Sequence, residues 1–204
     1  MLIFPAFHEW PDEAAIVGRL LVDYGELEFE LALSMGYAIS DKRKGLRDFF
    51  STRTAKARIE LAEKRANPCE SPWMSATGVG DEFAEALAAM RVCKDIRNGF
   101  AHCHWVSEKH NPVCDGLFFV NVEDWAKSPG GAFQWQHASL PRLQELEVYF
   151  KYTHECLQHV LKAISTQRGQ PHMGACPMPP KRPAPPLTSP VSVEAAAFLA
   201  RYDL

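Results

Sequence analysis

Nowhere in these 204 residues do apolar side chains run together for the roughly 18 positions that a membrane-spanning helix needs. The first residues also lack the basic start and apolar core of a secretory leader, so the chain is expected in the cytoplasm and away from the bilayer. Positive charge is in short supply: 22 lysines and arginines face 25 carboxylates, for a net charge of −3. That balance excludes a protein that coats nucleic acid through bulk charge, and leaves only a local basic patch to make such a contact. A disulfide framework is not expected either, because six cysteines in a reducing compartment stay as thiols. Cys103, His104, His110 and Cys114 fall close together but not as the two close pairs, separated by a longer loop, of zinc fingers and ribbons. A zinc ion there would play a structural part; no metal and no cofactor is expected for the chemistry.

What is abundant is helical periodicity. After an apolar, aromatic first ten residues, expected as an extended arm, Pro11 suits the first position of a helix, and Asp12 and Glu13 suit its positive end. Ile16, Val17, Leu20, Leu21, Tyr24, Leu27, Leu31 and Met35 then recur at helical spacing to about residue 39. Glu28 lies beside this stripe, either as a solvated edge charge or as a buried acid paired with Arg97 or another base. A turn over residues 40–45 leads to a second expected helix over 46–66. This is the most basic part of the chain, and Arg53, Lys56 and Arg58 are its candidate contacts to a phosphate backbone, the plain alternative being ordinary solvated charges balanced by Asp48, Glu60 and Glu63. Residues 67–80, with Pro68, Pro72, Gly78 and Gly80, read as a loop. A third helix opens at Asp81 and Glu82, and its stripe of Phe83, Leu87, Met90, Cys93 or Lys94, and Arg97 places Arg97 near an inward or interface face.

Beyond residue 103 the pattern changes to short aromatic and β-branched runs, 104–107 and 117–122, with a further run at 133–137. These predict a small β insertion over about 103–138, a hairpin or flap. The last main helix begins at Pro141 and repeats Leu143, Leu146, Tyr149, Phe150, Leu157, Val160, Leu161 and Ile164. Residues 167–190 are dense in proline and predict an extended linker. A short helix over 191–204 would then present an apolar face too small to stand alone, and would need a surface to dock on. The expected fold is therefore all-α: an up-and-down bundle of about four main helices over residues 1–166, with a β-hairpin insertion and a tethered C-terminal helix.

Between the third helix and the insertion lies Arg97-Asn98-Gly99-Phe100-Ala101-His102. On an uninterrupted helix, positions i and i+5 are about 140° apart, so Arg97 and His102 can share a target only if the helix stops between them. Gly99 is the expected stop, since glycine closes a helix end in the left-handed conformation without steric cost. An arginine fork matches two phosphate oxygens, and an imidazole can take or give a proton near neutrality. Asn98 could donate to a phosphate oxygen or orient the imidazole. These are the groups needed for attack of a ribose 2′-hydroxyl on its neighbouring phosphate without a metal. The bland reading is an arginine that opposes a helix dipole and a histidine that packs after a turn.

This hexapeptide resembles the Arg-x(4–6)-His signature of the HEPN superfamily, in the form where asparagine follows the arginine. The resemblance in architecture extends over roughly residues 11–166. It implies small helical-bundle proteins, many of them metal-independent endoribonucleases of toxin–antitoxin, antiviral and RNA-processing systems. It further implies that Arg97 and His102 are catalytic, that Asn98 is accessory, and that two protomers join their motifs across a homodimer interface. RNA, a second copy of the chain and an antitoxin or other protein are the partners so implied. Glu28, Asp95 and His104 are expected to support the site. Some proteins of this fold only bind nucleotides or mediate interactions, and these are the alternative functions.

Overall fold

Proline and short polar side chains set where the helices begin. In the computed structural model, Pro11, Asp12 and Glu13 open α2 (Pro11–Ala38), and the side chain of Asp41 caps α3 (Lys42–Ser51) by accepting from the Lys44 amide. Thr54 caps α4 (Ala55–Arg65) and Ser71 caps α5 (Pro72–Thr77), which ends on Gly78 in the left-handed conformation at φ 67°. The remaining helices are α1 (Pro5–Glu9), α6 (Gly80–Ala101), α7 (Val122–Ala126) and α8 (Leu140–Gln167). The structure describes residues 5–67, 71–106, 116–127 and 135–169, together with Pro183. The linker and docking helix expected beyond residue 169 lie outside these, as do His110, Cys114 and Phe133. Among the described residues the fold is mainly α, with one small β insertion, and no helix is long and apolar enough to cross a membrane.

Three of the expected elements take a different form. The helix predicted over 46–66 is two helices, α3 and α4, because the Ser51 and Thr52 hydroxyls both bond the Asp48 carbonyl and end the first. The expected loop over 67–80 holds α5, whose Ser71 hydroxyl also donates to the Ala38 carbonyl at 2.8 Å. The expected extended arm is helical from Pro5 to Glu9; Phe7 packs its ring 5.2 Å from that of Trp105.

The residues divide into two compact units. One holds residues up to Leu21 together with Ile96–Glu147. Its sheet has the antiparallel order β1 (His104–Val106), β2 (Leu117–Val120), β3 (Gln136–Ala138), with Trp105 opposite Phe119 and Phe118 opposite His137. As the central strand, β2 buries all four of its side chains. Phe100, Trp105 and Phe119 meet with ring centroids 5.0 to 5.5 Å apart and form the aromatic centre of this unit. Arg19 and Glu147 pair at 2.7 Å on its exterior.

The other unit holds Val22–Asp95 and Val148 to Gly169. Tyr24, Leu27, Leu31, Met35, Phe49, Ile59, Met74, Leu87, Met90, Leu157 and Val160 are all buried in it. Two helices come unusually close: a side chain built on Gly45 of α3 would lie 2.4 Å from the Gly36 Cα of α2. At the end of α8 the Arg168 guanidinium lies over the rings of Tyr37 and Trp73, at 5.7 and 5.4 Å, and donates to the Tyr37 carbonyl.

Glu30, on α2, is only 16% exposed and has His154 4.0 Å away. Burial pushes its carboxyl above the usual carboxylate range, against the partial pull of His154. The folded chain therefore holds this proton at pH values where the unfolded chain has released it, and stability falls as pH rises from 4.5 towards the raised value. Glu30→Gln is expected to raise Tm at pH 7 and to lose that advantage below about pH 4, where the unfolded carboxyl is itself protonated. Thermal melts from pH 4 to 8 decide it; a Tm difference that is constant with pH would exclude titration as the cause.

Candidate functional site

Phe100 determines the shape of the central motif. It is 6% exposed and packs against Trp105 and Phe119, and that burial holds the backbone helical past Gly99. A glycine in a helix interior costs about 1 kcal/mol relative to alanine, less than the 1.5–3 kcal/mol or so gained by burying a phenylalanine. Consequently α6 runs unbroken to Ala101, and the His102 amide still bonds the Asn98 carbonyl at 3.2 Å. Gly99 does not have a positive φ. The expected stop at Gly99 is thus overturned: the helix runs on to Ala101, and His102 follows it directly with its amide still in the helical bonding pattern. Arg97 and His102 of one chain stay about 140° apart around the axis and about 7.5 Å apart along it.

The arginine has a different neighbour. Its Nη1 donates to the side-chain oxygen of Asn98 at 2.9 Å, so Asn98 orients the guanidinium and does not orient the imidazole through that oxygen. Its amide hydrogens remain available as donors. Arg97 is half-buried, whereas His102, one position past the helix, is exposed. His104 is exposed at the start of β1, opposite Val120. Cys103, between the two histidines, is half-buried and donates to the Phe100 carbonyl; burial pushes its thiol up to about 12, so it is a poor nucleophile at neutral pH. Among the described residues no group of three histidines, cysteines or carboxylates could hold a metal ion.

The other expected site residues are engaged elsewhere. Glu28 is buried, and its Oε2 accepts from Arg58 at 2.8 Å, so its partner is Arg58 rather than Arg97, and the reading as a solvated edge charge does not hold. Arg58 also donates to the Thr52 carbonyl. With both contacts made, Arg58 is a structural residue and is withdrawn as a contact to a phosphate backbone. Asp95 is exposed and pairs with its neighbour Lys94 at 3.0 Å. Lys56 is exposed and pairs loosely with Glu60 at 3.8 Å. Arg53 is exposed and makes no ion pair with another described residue.

Two further arginines on α3, Arg43 and Arg47, are also exposed and join no salt bridge among the described residues. Phe50 of the same helix is 45% exposed, while its neighbour Phe49 is fully buried. The spacing 43, 47, 50 marks one helical face and was the available signal. Compared with models of known families, with characterised proteins and with solved structures, the chain matches none.

Proposed function

We propose that this chain is a metal-independent endoribonuclease whose site is completed by a second copy of itself. The observation that carries the reading is the end of α6: an arginine fork held by the neighbouring Asn98, followed by an exposed histidine at the same helix end. The motif's resemblance to the HEPN signature supports it. Because Arg97 and His102 of one chain diverge around the helix, the arginine of one protomer serves the histidine of the other. In that arrangement one His102 takes the proton of a ribose 2′-hydroxyl, and the freed oxygen attacks the adjacent phosphorus. The bond from phosphorus to the 5′-oxygen breaks, and the same imidazole, now protonated, gives its proton to that leaving oxygen. Arg97 and the Asn98 amide hold the phosphate oxygens as charge builds on them. The products are a 2′,3′-cyclic phosphate and a 5′-hydroxyl.

The test is incubation of a mixed, unstructured RNA with purified protein in EDTA, with the Arg97→Ala and His102→Ala variants alongside and folding checked by circular dichroism. Cutting by the wild type alone, leaving cyclic-phosphate ends, is the expected result. If all three are folded and inert, the nuclease reading fails for this substrate. Thermal protection by a nucleotide would then favour a binding module that recognises phosphate without cutting.

A further inference from the structure

Residues 42–65 carry nine lysines and arginines against three carboxylates, a local charge of +6 in a chain whose total is −3. Much of this charge is already used. Lys44 bonds Asp48, whose carboxylate also has Arg65 at 4.0 Å; Lys56 and Glu60 pair on α4; and Lys42 lies over the Tyr37 ring. Arg43, Arg47 and Arg53 remain exposed and without a salt bridge. Arg47 stands one helical turn before Phe50 and Arg43 two turns before, on the same face of α3, and Arg53 follows just after the helix ends.

Phe50 is the unusual member. A 45% exposed phenylalanine amid so much positive charge contributes little to the core, yet its ring is held in place. The Phe49 ring meets it edge-on at 5.2 Å, and the Arg58 guanidinium lies 5.5 Å from its centroid. Arg58 is itself fixed by Glu28 and the Thr52 carbonyl. A half-buried ion pair thus positions a surface aromatic ring, and exposed arginines that join no salt bridge stand beside it, Arg47 feeling only the longer-range pull of Asp48. Bases of any sequence present a flat π-face to such a ring when they are unpaired, and phosphates follow on to the arginines.

We infer that the α3–α4 surface is a binding site for a single RNA strand, with Phe50 stacking on a base and Arg43, Arg47 and Arg53 holding phosphates. RNA as the ligand is taken from the function proposed above; the placement of the site is not. A duplex has its bases already stacked on one another and offers nothing to Phe50.

The probe is a fluorescein-labelled, unstructured 2′-O-methyl oligonucleotide, which lacks the free 2′-hydroxyl and cannot be cut by the proposed mechanism. Its anisotropy is read against protein concentration at several salt concentrations. Phe50→Ala is expected to weaken binding about tenfold with the salt dependence unchanged, and Phe50→Trp to retain it. Replacing the three arginines with alanine should lower the slope of log affinity against log salt by about 2, at about 0.7 per phosphate contact on a single strand. Circular dichroism checks each variant's fold. The site is refuted if Phe50→Ala binds as the wild type does, if a duplex of equal length binds as tightly, or if anionic vesicles bind and the oligonucleotide does not. Binding that depends on Phe50 without any cutting of ordinary RNA would sink the nuclease reading alone. Cutting that is indifferent to Phe50 would sink this site alone.

Discussion

Gly45→Ala is expected to destabilise the protein by about 3 kcal/mol or more, the upper end of what overpacking costs, because the obstruction is backbone and not a side chain that can turn aside. The new methyl carbon would stand 2.4 Å from the Gly36 Cα and 2.8 Å from the Gly36 nitrogen. Helix propensity alone points the other way, since alanine is favoured over glycine in a helix by about 1 kcal/mol. Gly25 is the control. It lies in the interior of α2, and a side chain there would meet nothing within 4 Å. Gly25→Ala should therefore stabilise by about 0.5–1 kcal/mol. Urea unfolding followed by circular dichroism compares the two. A Gly45→Ala midpoint at or above that of the wild type would mean that α2 and α3 do not make this contact.

The second large effect concerns activity. His102→Ala should lower the cleavage rate on the order of 100-fold or more, the scale of general acid–base catalysis, without a matching loss of stability, since the side chain is exposed. Arg97→Ala should do the same through the phosphate. The unbroken helix adds a sharper expectation: the two inactive variants, mixed and allowed to exchange subunits, should recover activity. A mixed pair still contains one intact arginine and one intact histidine on opposite chains. Random exchange makes about half the pairs mixed, each with one of two sites whole, so recovery towards about a quarter of the wild-type rate is expected if each site takes one residue from each chain. No recovery, with exchange verified by a tagged subunit, would mean that both residues act from the same chain, against the geometry of α6.

The division between what could be read in the sequence and what could not follows the range of the interactions. Long amphipathic stripes such as Ile16 to Met35 gave α2, and the same periodicity gave α8, because burying such a stripe requires only that the helix form. Aromatic and β-branched runs between turn residues likewise marked β1 and β2, and the third run, 133–137, overlaps β3 at its end. Gly99 shows where local reading fails. Glycine permits a helix stop, but Phe100, one residue later, is buried against two rings that come from strands yet to follow in the chain. Arg58 shows the same limit in a charge. Its partner Glu28 lies 30 residues earlier, and no spacing within one helix reveals such a pair. The site is the least legible part, since on the reading proposed above it is shared by two chains, and either one alone carries only half its geometry.

The clasp of Arg168 by Tyr37 and Trp73 matters for how α8 ends. Arg168 directly follows the last residue of α8, and its guanidinium ties the end of α8 to the end of α2 and to α5. Fraying of the last turn of α8 would have to break these side-chain contacts as well as the terminal backbone bonds, so the end of α8 is anchored by two other helices at once and not by its own hydrogen bonds alone.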